Sequence, residues 1–316
     1  MSRIFDALQR SESERSGVDS TRLPQGPELL RHAERAAASI WNADEAQAAP
    51  VTTSVADDEN AVGRDAHPSL HAVEDLSVEP QSDVLDQFRS LEISLPPQSR
   101  LVCLIDRENP AAEAIRLLGV RLKDLRKVRT LKRVLITSTM PQEGKSMISA
   151  NLACALAYSS GARILLVDGD LRRPTLPQMF GIQKQPGIYE WLRDDCDAIP
   201  NICRLEGAGF WFLPAGHAST NPIELLQSQR LPTLMDRIAA WFDWVIIDSP
   251  PVLPLADTSV WMRLADGILL VTRQGTTEKQ QLTKGIEALQ PDKLIGALVN
   301  GSLASAYSGY YYRSQA

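Results

Sequence analysis

The residues this chain has few of exclude several function classes. Only four cysteines occur in 316 residues, Cys103, Cys154, Cys196 and Cys203, and no two form a CxxC pair. Neither a zinc site nor a disulfide framework is suggested, so small buried thiols in a reducing compartment are expected. No apolar run approaches the roughly 20 residues needed to cross a bilayer. The N-terminus, MSRIFDALQRSESERSG, is charged and has no apolar signal core. A cytoplasmic chain is therefore expected, with any membrane contact made through a partner. A basic excess is also missing. With 33 Lys and Arg against 39 Asp and Glu, the net charge of -6 argues against wholesale nucleic-acid binding.

The length suits one large domain with an extension, or two modest domains. Composition shifts near residue 95. Residues 11–95 are rich in Ala, Ser, Asp, Glu and Pro and poor in periodic apolar residues. Such a stretch buries too little apolar surface to offset chain entropy, so an N-terminal extension over 1–95 is expected to be mostly disordered. Short helices are expected around Ile4, Phe5 and Leu8 and over residues 29–41. A folded domain is expected over 96–316, with a tail from about 303. Within it, apolar runs at 134–137, 164–167, 211–213, 244–247, 268–272 and 294–299 read as buried strands. Helical patterns at 111–128, 145–158, 222–241 and 278–289 alternate with them. That alternation predicts an α/β fold, a mainly parallel sheet covered by helices on both faces, with ligands at the strand-to-helix loops.

The first such loop is Thr139-Met140-Pro141-Gln142-Glu143-Gly144-Lys145-Ser146, followed by Met147. A strand, a turn and then GKS opening a helix is the context in which a phosphate-binding loop is credible. Backbone N–H groups converge there on an anion, and Gly144 permits close approach. Lys145 would reach phosphate oxygens and Ser146 would ligate Mg²⁺. The first glycine of the usual GxxxxGK[ST] pattern is replaced by Thr139.

Two further strands end in acids. Ile164-Leu-Leu-Val-Asp168-Gly-Asp170-Leu-Arg172 places two carboxylates on one side of the chain, and Trp244-Val-Ile-Ile-Asp248 ends a second apolar run. Carboxylates at such strand ends can hold a metal's water shell or accept a proton from an attacking hydroxyl. Asp257 reads as the cap of a following helix more readily than as a switch residue.

Four of the six tyrosines, Tyr307, Tyr310, Tyr311 and Tyr312, fall in the last ten residues. They have no core periodicity and stand among Gly309 and serines, so they read as accessible phenols that can receive phosphate. A groove-docking aromatic tail is the alternative. The basic run Arg121, Lys123, Arg126, Lys127, Arg129, Lys132 and Arg133 reads as a solvated helix face before it reads as a contact for an acidic tail.

The series STMPQEGKS, ILLVDGDLRRP and VIIDSPP, followed by the tyrosine cluster, resembles the bacterial tyrosine kinases of exopolysaccharide synthesis, the BY-kinases, over about residues 105–316. The resemblance implies an ATP- and Mg²⁺-dependent P-loop kinase that phosphorylates tyrosines of a neighbouring subunit's tail. It implies catalytic roles for Lys145, Asp168 and Asp170, with Asp168 as base. Ser146, Asp170 and Asp248 would be metal ligands, and Asn300 an adenine contact. It also implies ring assembly through Glu113 and Arg116, although the third position of that motif is Gly119, with Arg121 nearby as the substitute. Expected partners are a separate membrane-anchored chain-length regulator and a protein-tyrosine phosphatase, with the chain held peripherally at the inner membrane. A partitioning ATPase of the MinD/ParA kind is the competing reading. Those proteins carry an extra loop lysine, which the segment Thr139–Glu143 lacks. A nucleotide-sensing scaffold without kinase activity is the third.

Overall fold

The computed structural model describes residues 85–194, 202–218, 221–253 and 256–302. The helices expected near Ile4–Leu8 and over 29–41, Cys196 and all four tail tyrosines lie outside the described residues.

The chain begins with β1 (Arg89–Leu91), α1 (Val102–Ile105), α2 (Pro110–Val128) and β2 (Arg133–Ser138). It continues with α3 (Lys145–Ser160), β3 (Ile164–Asp168), α4 (Leu176–Phe180), α5 (Ile188–Arg193), β4 (Cys203–Leu205) and β5 (Trp211–Leu213). Then come α6 (Ile223–Leu226), α7 (Arg230–Ala239), β6 (Trp244–Asp248), α8 (Asp257–Leu264), β7 (Gly267–Arg273), α9 (Lys279–Glu287) and β8 (Leu294–Asn300).

All strands join one eight-stranded sheet in the order β1-β4-β5-β3-β6-β2-β7-β8. Every pairing is parallel except β4 with β5. Alternation within strands builds two cores. Val134, Ile136, Ile164, Leu166 and Ile246 face one side, with Leu152 and Leu156 of α3. Leu135, Leu165, Val167, Val245 and Ile247 face the other, with Leu234, Ile238 and Trp261. Burial on both faces explains why these strands read as continuous apolar runs. The result is the expected three-layer α/β arrangement.

Two sequence expectations change. The helix expected over 222–241 is broken into α6 and α7. Pro232 has no N–H to give and crowds the preceding turn, so the helix restarts at Arg230 and Pro232 falls in the first turn of α7. The sheet also reaches further back than residue 96. Arg89–Leu91 pairs in register with Cys203–Leu205, and Phe88 packs its ring 6.1 Å from Trp241. β1 and β4, unlike the apolar run of β5, mix charged and apolar residues over only three positions, too few for a periodic pattern. Cys103, Cys154 and Cys203 are free, buried thiols, and burial pushes them up, Cys103 to about 11 and the other two to about 12.

Candidate active site

The order β3-β6-β2 sets three loops side by side at one sheet edge. Asp168 of β3 lies directly opposite Asp248 of β6, and Asp248 in turn pairs with Ile136 of β2, two residues before the strand's end at Ser138. The loop after β2 runs into α3, whose N-cap is Gly144 with φ 96° and no side-chain cap. Its first N–H groups are thus left for an anion. A Cβ at Gly144 would also meet the Asn300 amide nitrogen at 2.2 Å, so only glycine fits. Gln142 adopts φ 68°, an uncommon conformation for a non-glycine residue.

Charge is concentrated here. Lys145 Nζ lies 3.1 Å from Asp170 Oδ2 and 3.7 Å from Asp248 Oδ2, and it donates to Ser146 Oγ at 3.3 Å. Burial works against the Lys145 charge, but Asp248 and Asp170 outweigh it and hold the ammonium above its ordinary range. Asp168 is fully buried and neither of its oxygens has a hydrogen-bond partner. Burial first, then the charges of Asp248 and Asp170, push its carboxyl well above the usual carboxylate range. Asp248 is raised as well, chiefly by burial, with Lys145 opposing. Its Oδ1 accepts from Ser149 at 3.2 Å while Oδ2 has no hydrogen bond.

One ammonium thus pairs with two of three acids, and three buried carboxylate oxygens go unbonded. Buried charge of this kind is costly unless a cation compensates it. A divalent ion fits that deficit. No group of three His, Cys, Asp or Glu side chains among the described residues forms a ready metal cage. The paired carboxylates Asp170 and Asp248 fit Mg²⁺, which is commonly held by one or two carboxylates together with substrate phosphates.

The loops are braced from behind. The Trp261 indole N–H of α8 donates to Gly169 O at 3.0 Å, and the Gly169 N–H donates to Asp248 O at 2.7 Å. A Cβ at Gly169 would come within 2.7 Å of that same carbonyl oxygen, so glycine is required between the two acids. Arg172 grips buried Asp257 through Nε and Nη2, at 2.7 and 3.0 Å, and reaches Asn221 at 2.6 Å. Asp257 is therefore not the cap expected for α8. It is the first residue of that helix, and its carboxylate faces Arg172.

The expected loop residues divide by role. The Glu143 side chain is buried, accepting from Met140 N at 2.9 Å and from the Thr277 hydroxyl, so only its backbone remains for a ligand. Thr139 is buried against Gly285. Asn300 stands beside the loop and donates to Glu143 O at 2.9 Å. Pro141 and Gln142 are exposed, while Met140 and Met147 are half-buried.

Glu113 and Arg116 are elsewhere, on the outer side of α2. They bond to each other, and Arg116 also donates to Arg107 O at 2.6 Å. Gly119, the third position of that motif, is buried, and a Cβ there would lie 3.4 Å from Leu156. Only part of the basic run is a solvated face. Arg126 stacks on Trp244, Arg129 donates to Asp266 O, and Arg133 pairs with Asp236 and Asp266.

Comparison with known proteins agrees with this geometry. Residues 141–294 match the AAA domain family model. The tyrosine-protein kinase YwqD of Bacillus subtilis is 34% identical over 217 residues, 68% of this chain and 91% of YwqD. The chain belongs to the bacterial tyrosine-protein kinases. The tyrosine-protein kinase etk of Escherichia coli is 30% identical over 65% of this chain, which spans only 29% of etk. The solved kinase domain of that protein superposes with a TM-score of 0.61 at 25% identity, covering 77% of this chain and 99% of the domain. As a bacterial tyrosine-protein kinase with a P-loop fold, this chain binds nucleotide and uses ATP as its phosphoryl donor. No helix among the described residues is long and apolar enough to cross a membrane.

Proposed function

We propose that the kinase phosphorylates its own C-terminal tyrosines, Tyr307, Tyr310, Tyr311 and Tyr312, on a neighbouring copy. The carrying observation is the buried cluster of Lys145, Asp168, Asp170 and Asp248, with more carboxylate charge than one ammonium neutralises. The loop from Thr139 to Met147 cradles the phosphates. Asp168 removes the phenolic proton, and its raised affinity for protons makes it a better base near neutral pH than an ordinary aspartate. Lys145 stabilises charge on the transferring group and in the free state rests on Asp170 and Asp248. Ser146, Asp170 and Asp248 would hold Mg²⁺, which supplies charge neutralisation at the phosphates when bound. Asn300 contacts adenine through the part of its amide not engaged with Glu143.

Further parts of the reading rest on family resemblance. Self-association, as a ring, uses the outer side of α2, where Glu113 and Arg116 stand beside half-exposed Leu117 and Val120. A separate membrane-anchored chain-length regulator activates the kinase at the inner membrane, a protein-tyrosine phosphatase reverses it, and exopolysaccharide synthesis is the controlled process. The kinase unit comprises β1 to β8, the residues before it form an extension, and no nucleic acid takes part.

The test is direct. The purified protein, its activator supplied, is incubated with ATP and Mg²⁺, and modified residues are mapped by mass spectrometry. Phosphate is expected on the tail tyrosines and absent in Lys145→Met. ATP hydrolysis without phosphotyrosine would instead point to a partitioning ATPase.

A further inference from the structure

A second charged recess lies outside the nucleotide site. It is a cavity of about 160 Å³ lined by Cys103 of α1, Arg107 of the following turn, Arg116 of α2, and Ala155, Tyr158 and Ser159 at the end of α3. At that volume it falls below the roughly 300–1,000 Å³ of a drug-sized pocket and suits a smaller head group. Its chemistry is specific. The Arg107 guanidinium stacks 3.8 Å above the Tyr158 ring, and no carboxylate among the described residues pairs with it. Arg116 is held towards it by Arg107 O. Lys123 reaches the rim, donating to Ser159 Oγ at 2.7 Å. The Tyr158 hydroxyl is bonded to Gly207 O at 2.6 Å, which fixes the ring as a wall. Glu113 holds Arg116 from the solvent side and is itself largely exposed, while Asp106 and Glu108, which flank Arg107 in the chain, bond within their own turn.

Two guanidiniums, an ammonium, a hydroxyl and an aromatic wall around a small recess match a phosphate carried on an aromatic ring. Arginine forks favour doubly charged phosphate oxygens over a carboxylate's single charge. The chain supplies such a group itself, since four tyrosines stand in residues 303–316.

We infer that the recess between α1, α2 and the end of α3 binds a phosphorylated tyrosine of this chain's own tail. The phosphate draws Arg116 away from Glu113, the pair proposed above for ring contact, so tail binding and self-association through α2 exclude each other. The kinase thereby senses its own product at a place separate from the catalytic carboxylates. The inference rests on the proposal that the tail is phosphorylated, but its test does not.

The test uses the full chain carrying Lys145→Met, so that its own tail stays unmodified. A labelled synthetic peptide of residues 305–316, with phosphate on Tyr310, is titrated with the protein and followed by fluorescence anisotropy. Binding is expected, weakened about tenfold or more without the phosphate and by a similar factor in Arg107→Ala. Ser159→Asp, an exposed change that adds repelling charge, is expected to weaken it too. Glu113→Gln is expected to strengthen it severalfold, because Arg116 no longer has to leave a carboxylate. Arg204→Ala, removing an arginine that stacks on Trp211 elsewhere, should change nothing. Equal binding of the unphosphorylated peptide overturns the inference. So does indifference to both Arg107→Ala and Ser159→Asp.

Discussion

Glu190 and Asp168 are acids in the same unit with opposite fates. Glu190 opens α5 and has both oxygens engaged. Oε2 accepts from Gly187 N at 2.7 Å, and Oε1 accepts from His217 N at 2.8 Å and faces His217 Nδ1 at 3.0 Å. Partial burial opposes its charge, but these bonds outweigh that and hold the carboxyl below its ordinary range. Asp168 has greater burial, like-charged neighbours and no bond to either oxygen, and is held far above that range. One acid fastens two loops together; the other stores unfavourable electrostatics at the strand end where a substrate would arrive. Unmet polar groups that persist in a well-packed fold mark function more reliably than satisfied ones do.

The sharpest way to break the contrast is to neutralise each acid. Asp168→Asn removes the proposed base, and a loss of about 10²–10⁴ in tyrosine phosphorylation is expected, read as initial rate with the activator present. Stability should move the other way. In the nucleotide-free protein the native state keeps a proton on Asp168 to higher pH than the unfolded chain, whose carboxyl titrates near about 3.9. Stability from this residue is therefore full below that pH and is lost as pH rises through its folded value. Asp168→Asn should raise the melting temperature at neutral pH, with the gain shrinking as pH falls towards about 4. A variant that is inactive and also less stable at neutral pH would refute the strained-acid reading.

Glu190→Ala should do the reverse. It strands the part-buried Gly187 N–H and leaves the exposed His217 N–H to water, at a cost of about 1 kcal/mol measured by urea unfolding, with nucleotide affinity of the folded protein kept. The sign of the pH dependence also inverts. Glu190 is depressed in the fold, so its contribution is present above the unfolded value, about 4.3, and is lost as pH falls through the folded one. The stability gap between wild type and Glu190→Ala should thus narrow in acid, whereas for Asp168→Asn the excess over wild type should grow towards neutral pH.

The two regions also differ in how far the sequence discloses them. Lys145, Ser146, Asp168, Asp170 and Asp248, the residues of the proposed site, are legible because phosphate and metal chemistry would demand a few residue types at fixed offsets from strand ends. That Asp168 and Asp248 face each other depends on strand order, which no local pattern encodes. The braces were hidden for a similar reason. Trp261 meets Gly169 across 92 residues, Thr277 meets Glu143 across 134, and Asn300 meets the loop across 157. A buried tryptophan reads as core whether or not its N–H holds a catalytic loop. Asp257 reads as a helix cap, but the partner that defines it, Arg172, is 85 residues away. Glu190 sits within a short helix where an acid three residues after a glycine has no distinguishing pattern.

The smallest effect lies in the loop itself. Gln142 is the only described non-glycine residue with positive φ, at 68°, and its carbonyl accepts from Arg273 at 3.2 Å. A left-handed conformation costs an ordinary side chain about 1–2 kcal/mol, because Cβ crowds the following carbonyl. Part of that strain should vanish in Gln142→Gly, though glycine also gives the unfolded chain more freedom. A net gain of about 0.5–1 kcal/mol in urea unfolding is expected. Gln142→Val, branched at Cβ, should lose more than the glycine gains. Here the comparison between regions sharpens to a single residue. If the strain at 142 shapes the phosphate cradle, the relaxed glycine variant will bind ATP more weakly while unfolding later. If it does not, affinity will hold and only stability will move. Parallel measurement of ATP binding and unfolding in one pair of variants therefore decides whether strain in this loop belongs with the unmet charge of Asp168, as a feature kept for function, or with the satisfied architecture around Glu190.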